Sequence, residues 1–486
     1  MTEPHSPALP ADRIVETQHT LTLANTTISY TATAGTLVLR EEARKADDGT
    51  AEGEQPRASI FFVAYTRTDA DAGSQRPITF AFNGGPGSSS VWLHMGLLGP
   101  RRTPMAPDGG PPAPPYQVVD NLHTLLDETD LVFIDPMSTG FSRPTPGINP
   151  RTYHGFKKDL ELVGDFIRLY TSRYGRWMSP KYLIGESYGT TRAGGLAGYL
   201  QDRHGMFLNG LMLVSAVLNF GTLEFDPSND LPYLLFLPTY AATAFYHQRL
   251  EPALQADLTA TLTEVEQFAQ GEYAHALFLG TRLPAERRAA VAAQLARYTG
   301  LPADYIERSN LRIRDDRFVK ELLRTQGQTV GRLDSRFVGV DRDAVGERHE
   351  YDPSYAAILG AYTATLNAYL RNELQFTSDL PYEILTGQVW PWSYSDHENR
   401  YVDVSETLRK AMAQNPYLRV HVASGYYDLA TPYFATTYTL NHLSLPPERA
   451  ANIRESFYPA GHMMYIHDDS LAHLKAALRR FIRGEE

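Results

Sequence analysis

Lys181-Tyr-Leu-Ile-Gly185-Glu186-Ser187-Tyr188-Gly189 is the stretch on which the reading of this chain turns. The apolar run from Lys181 to Ile184 predicts a strand, and Thr190 to Gln201, rich in small residues, predicts the helix after it. A serine between two glycines at such a turn forms a nucleophile elbow. The turn is sharp enough to hold the serine in strained backbone, and side chains at 185 and 189 would collide with neighbouring main chain. The amides at the start of the helix also face any negative charge that develops beside Ser187. An ordinary glycine-rich turn can share these five residues, so the decision falls to the rest of the chain.

Outward from the elbow, strands and helices alternate. Gln18–Leu23, Thr27–Ala32 and Gly35–Arg40 predict antiparallel strands at a sheet edge. Residues 1 to about 12, rich in proline, read as disordered, and Lys45–Arg57 as a loop. Ala58–Thr66 and Pro77–Phe82 read as strands, the second running into Asn83-Gly84-Gly85-Pro86-Gly87-Ser88-Ser89-Ser90. Asp130–Asp135 makes a strand ending in Pro136-Met-Ser-Thr-Gly-Phe-Ser142, Gly155–Tyr174 a helix, and Gly210–Ser215 another strand. This order predicts a doubly wound α/β fold with a mostly parallel sheet. Ligands gather at the carboxyl ends of such strands, where Asn83, Asp135 and Ser187 all fall.

From 221 to 386 the alternation stops, and Pro252–Gln270, Pro284–Tyr298 and Tyr355–Glu373 carry helical spacing. Alternation returns with a helix over Val404–Gln414, a strand over Leu418–Ala423 and a helix over Tyr433–Leu443. A strand over Arg454–Tyr458 and a helix over Asp469–Arg483 follow. The expected organisation is a core made of residues 1–220 and 387–486, with 221–386 inserted as a mostly helical cap.

Composition narrows the function. The 486 residues are 43% hydrophobic and 21% charged, with a net charge of -11, which argues against a nucleic-acid surface. The strongest apolar run, Leu231–Pro238, is too short for a membrane span. There are no cysteines, so disulfides, thiolate zinc sites and a cysteine nucleophile are excluded. No P-loop, H-E-x-x-H or similar motif calls for a metal or cofactor. The N-terminus lacks the charged and apolar regions of a signal peptide, so the expected compartment is the cytoplasm. A homodimer is the candidate assembly.

A serine hydroxyl needs a base, and the base needs an acid to fix its tautomer. In an elbow-containing fold these follow the serine in the order acid, then histidine, each just after a strand. Asp428 stands directly after Leu418–Ala423, whereas its rivals Asp396 and Asp403 follow no convincing strand. His462 stands just past the last strand; His442 and His473 fall in predicted helices, and His467 remains a rival. The oxyanion donors are expected to be the Tyr188 amide and an amide from Asn83-Gly-Gly-Pro-Gly.

The loop at 83–90, Asp135-Pro-Met-Ser-Thr-Gly-Phe-Ser, Gly185-Glu-Ser-Tyr-Gly and Gly461-His-Met together resemble the serine carboxypeptidases, the carboxypeptidase Y and cathepsin A-like family. The resemblance runs from about residue 80 to the C-terminus. It implies an α/β-hydrolase core under a helical cap and removal of single residues from peptide C-termini. Ser187 would be the nucleophile, His462 the base and Asp428 its orienter, with Gly85 and Tyr188 donating the oxyanion amides. Asn83, Gly84 and Glu186 would hold the substrate carboxylate. Two carboxylates repel, so Glu186 would bind in its protonated form. Five positions depart from the family pattern. Ser88 replaces a cysteine, Phe82 a tryptophan, Leu97 a second glutamate that supports carboxylate recognition, and Met464-Tyr465 a Val-Pro pair. An esterase, acyltransferase or lyase on the same scaffold is the rival enzyme. A silent binding protein is the rival of another class.

Overall fold

Alternating side chains early in the chain build three long antiparallel strands, β1 (Arg13–Leu23), β2 (Thr26–Arg44) and β3 (Ala51–Arg67). The computed structural model describes residues 10–45, 47, 49–70 and 75–485. The expectation of disorder for residues 1 to about 12 lies outside the described residues as far as residue 9, and is corrected at Asp12, whose carboxylate accepts from the Val38 amide at 2.7 Å. Two other expectations are corrected here. Thr27–Ala32 and Gly35–Arg40 are one strand, not two. Gly35 sits mid-ladder opposite Ile14 and Phe62, and a Cβ there would lie 2.2 Å from the Arg13 carbonyl oxygen. Nor is Lys45–Arg57 a loop, because β3 is already paired with β2 from Ala51. Its first residues are exposed, so the pairing there leaves no apolar alternation to read.

The buried strands follow as β4 (Ile78–Phe82), β5 (Asp130–Ile134), β6 (Lys181–Ser187), β7 (Gly210–Ala216), β8 (Arg419–Gly425) and β9 (Ile453–Tyr458). Among the described residues the main sheet has ten strands, in the order β1-β2-β3-β5-β4-β6-β7-β8-β9, with Arg143–Pro144 paired to β3. From β5 to β9 every pairing is parallel. β4, β5 and β7 are buried at every position, as strands covered on both faces must be. α1 (Phe156–Arg173) and α2 (Tyr188–His204) cover one face, packing Phe166 and Leu196 against Phe80, Leu183 and Leu213. The other face packs Phe133, Ile184 and Met212 with Tyr465 and Phe481. The fold is α/β-hydrolase-like, with a mostly parallel central sheet flanked by helices.

Between β7 and β8 the chain is mainly helical, with α3 (Leu231–Tyr246), α4 (Leu258–Phe268), α5 (Ala285–Thr299) and α6 (Pro353–Asn372). The run Pro252–Gln270 is not one helix. Asp257 accepts a hydrogen bond from the Ala260 amide and starts α4 anew after the single turn Pro252–Gln255. α3, α4 and α5 share a core of Leu237, Tyr240, Val265 and Leu295 with Phe318, to which Tyr427, Leu429 and Tyr433 also belong, whereas α6 packs Ile358, Tyr362 and Leu366 into the core that holds Tyr465. The chain closes with α7 (Ser405–Gln414), α8 (Tyr433–Asn441) and α9 (Asp468–Arg483). Among the described residues no helix is long and apolar enough to cross a membrane.

Candidate active site

Ser187 closes β6 with φ 59° and ψ −131°, a conformation that a non-glycine residue holds only under constraint. The constraint is close approach of main chain. A Cβ at Gly185 would lie 2.2 Å from the Gly189 carbonyl oxygen, and one at Gly84 would lie 2.5 Å from the Tyr188 nitrogen. β4 pairs in register with β6 up to Phe82 opposite Gly185, so Asn83-Gly84-Gly85 is delivered beside the elbow. Behind this junction lies Arg192, fully buried between the rings of Phe82 and Tyr188. Its Nη1 donates to the Asn83 carbonyl at 2.6 Å and its Nε to Asp159 at 2.8 Å. The buried pair thus ties α2 to α1 and to the end of β4.

Asp428 and His462 come together although 34 residues separate them, because β8 and β9 are parallel neighbours and each residue follows its strand. His462 Nδ1 donates to Asp428 Oδ2 at 2.7 Å. Asp428 also accepts from the amides of Ala430 (2.8 Å) and Thr431 (3.0 Å) and from the Thr431 hydroxyl (2.7 Å). Burial alone would lower the pKa of His462, but Asp428 and then Glu186 outweigh it and hold the imidazole above its usual value. Ser187 and His462 line one cavity of about 830 Å³. Among the described residues no hydrogen bond joins the Ser187 hydroxyl to His462, a looseness common in sites without substrate.

The rivals lie elsewhere. Asp403 accepts from the Ser405 amide at the start of α7, and Asp396 lies in the turn Ser395–His397. His442 bonds the Tyr438 carbonyl, His467 the Ser470 hydroxyl, and His473 sits on α9.

Glu186 and Asn83 line the same cavity, and both are buried. Burial pushes the Glu186 carboxyl up to about 7, against the opposing pull of His462 and the Tyr465 hydroxyl. Tyr465 Oη donates to Glu186 Oε2 at 2.5 Å. Asn83 Oδ1 accepts from the Leu93 amide, which orients the side-chain amide, while among the described residues Nδ2 meets no partner at full hydrogen-bond geometry and lies close enough to Glu186 and Tyr465 to favour their charged forms. A buried donor and an acid whose neutral form burial favours, set on one wall, form an arrangement suited to a carboxylate. Gly85 and Gly87 have φ of +100° and +99°, which turns the loop back on itself beside Tyr188. Leu97 is fully buried in the apolar core and is not part of the cavity wall.

Several residues of the site carried no sequence signal. Ser215 sits at an irregularity of β7 with φ 51°, and its hydroxyl donates to the His462 carbonyl at 2.6 Å. The segment Arg332–Ser335, far from both triad loops in sequence, runs between them. The Leu333 carbonyl accepts from the His462 amide at 2.7 Å and Arg332 from the Leu429 amide at 3.0 Å. The Asp334 carboxylate accepts from the Gly461 amide at 3.0 Å, and the Ser335 amide donates to Tyr427 at 2.9 Å.

Sheet order, elbow and the acid and histidine after successive strands are those of the α/β-hydrolase-like class. Residues 48–219 match the family model described as serine carboxypeptidase. Over that stretch, about a third of the chain, the sequence is similar to the serine carboxypeptidases, the family that its motifs resemble. Kex1ΔP, a prohormone-processing carboxypeptidase from Saccharomyces cerevisiae, is similar in fold with a TM-score of 0.56. It is 16% identical, and the alignment covers 94% of this chain and 91% of that one. Proline iminopeptidase from Mycobacterium smegmatis aligns with a TM-score of 0.34 at 12% identity, over 96% of this chain and 98% of that one. No curated protein sequence matches the chain.

Proposed function

We propose that the protein is a serine-type carboxypeptidase that releases the last residue of a peptide through an acyl-enzyme. Ser187 Oγ attacks the carbonyl carbon of the terminal peptide bond while His462 Nε2 takes its proton. The negative charge that forms on the carbonyl oxygen is held by the Gly85 and Tyr188 amides. The C–N bond breaks, His462 returns the proton to the leaving amine, and water then releases the acyl group by the same route. Asn83, the Gly84 amide and protonated Glu186 hold the carboxylate of the departing residue. The helical stretch 221–386 acts as a cap, and Arg314, Arg332, Leu333, Tyr355 and Ile358 from it line the cavity.

The observation that carries this reading is Glu186, a buried acid that lines the cavity beside the His462–Asp428 pair and whose pKa burial raises to about 7. A plain esterase has no use for it. The test is release of the C-terminal amino acid from an N-blocked hydrophobic dipeptide at about pH 5 and about pH 7.5, on either side of the Glu186 transition. Relative to cleavage of the matching ester, which shares the His462 limb, release should be greater at the acidic pH, and it should be absent in Ser187→Ala. Ester cleavage without peptide release would favour the esterase or acyltransferase reading, for which Leu97 in the place of a family glutamate speaks. Failure of Ser187 to react with a fluorophosphonate probe would favour a silent binder.

A further inference from the structure

Glu186 lines the cavity, whereas Tyr465 stands behind it, fully buried and away from the cavity wall. The phenol is held there by shape. A Cβ at Gly96 would lie 2.5 Å from the Tyr465 ring and 2.7 Å from the Tyr362 hydroxyl, so position 96 leaves the ring no slack. Tyr465 lies in the turn Met464–Ile466 directly after His462-Met463, so the loop that carries the base also delivers the phenol. Leu97, beside Gly96, puts an apolar side chain where the family resemblance calls for a carboxyl.

We propose that Tyr465 is the positioning residue of Glu186, its phenol occupying Oε2 so that the acid proton sits on Oε1 and faces the substrate carboxylate. This rests on the reading of Glu186 as the carboxylate-binding acid. A carboxylic acid carries one proton, and its carbonyl oxygen is the better acceptor. An O–H donor fixed at Oε2 therefore makes that oxygen the carbonyl and leaves Oε1 the hydroxyl. A phenol does this differently from a second carboxyl, with which a proton would be shared. Tyr465 stays neutral through the working range, since burial raises its pKa well above 10, so Glu186 alone of the two titrates. The other groups facing Glu186 are His462 and Asp428 from the loops after β9 and β8, Asn83 from the loop after β4, and Tyr362 from α6. The departures at 97 and 465 are thus two halves of one exchange.

The phenol favours the ionised carboxyl, so its loss raises the Glu186 pKa. The test compares KM and kcat for an N-blocked dipeptide and the matching ester, from about pH 5 to about pH 9, in wild type, Tyr465→Phe and Glu186→Gln. In Tyr465→Phe the rise of peptide KM with pH should move upward by about half a pH unit or more, with ester kcat within about threefold of wild type. Replacing Tyr465 by 3-fluorotyrosine, which keeps the packing but strengthens the donor, should move the same rise downward. In a Glu186→Gln background neither change at 465 should alter the peptide profile. A peptide KM profile that stays put in both 465 variants overturns the proposal, as does an equal loss on ester and peptide. A Glu186→Gln profile superimposable on wild type instead overturns the carboxylate-binding role of Glu186, and the proposal with it.

Discussion

Glu186 and His462 favour one another's charged forms across a shared cavity, Glu186 holding the imidazole up and the imidazole holding the carboxyl down. Under the proposed mechanism, peptide hydrolysis needs the opposite state, with Glu186 protonated and His462 neutral. That state and its proton-shifted isomer carry the same number of protons, so pH cannot separate them. The peptide kcat/KM should therefore follow a narrow bell, while an ester, with no carboxylate to bind, should show only the acid limb. Glu186→Gln should remove the basic limb for peptides. It should also move the acid limb of ester hydrolysis to lower pH, because the charge that raised His462 is gone; an unmoved ester limb would show that the two groups do not interact. The same residue bears on stability. Its pKa is raised from 4.5 to about 7 by folding, so its contribution is fully present below about pH 4.5 and lost as pH rises through about 7. The loss is on the order of 3 kcal/mol at full ionisation. Glu186→Gln should thus melt at higher temperature than wild type at about pH 8 and show no gain at about pH 4.

The elements differ in how openly the sequence announces them. The elbow is legible because half of its physics is local: Gly185 is forced by the main chain of Gly189 and Thr190 one turn on, while Gly189 is forced by Phe82 and Asn83 at the end of β4. Asp428 and His462 are legible because parallel strands order the loops that follow them. The clamp at Arg332–Ser335 is not, since nothing near Asp334 in sequence says that its carboxylate will hold the Gly461 amide 127 residues away. Tyr465 was legible only as a departure from a pattern, and its contact with Glu186 only from coordinates. The long ladder of β2 was hidden by Gly35, which reads as a break yet serves the close approach of β1. The clamp gives its own prediction. A Cβ at Gly461 would lie 2.4 Å from the Asp334 Cβ, so Gly461→Ala must push the base loop away from its support. Displacements of about 1 Å cost on the order of a hundredfold in rate. The variant should lose kcat on peptides and esters alike, with fluorophosphonate labelling of Ser187 slowed in step; near wild-type labelling would show that the loop is held by other contacts.

For the whole molecule, the decisive fact is where the third hydrophobic core ends. It is built from helices α3, α4 and α5, yet it also takes in Tyr427 and Leu429, which flank Asp428, and Tyr433 at the start of α8. Tyr433 further donates to Glu266 of α4 at 2.6 Å. The helical stretch therefore packs directly on the loop of Asp428, and the Arg332–Ser335 clamp adds hydrogen bonds to the loops of both Asp428 and His462. Loosening the helices should loosen the triad, and the two should melt together. Leu295, fully buried on α5, is a suitable probe because it touches no part of the cavity wall. Leu295→Ala should cost about 2–5 kcal/mol. Loss of esterase activity and loss of helical circular dichroism should then shift to lower temperature by the same amount and remain one transition. If activity instead vanished in an earlier, separate transition, the helices would be melting without the core, and the shared cluster around Asp428 would not be binding them into a cooperative unit.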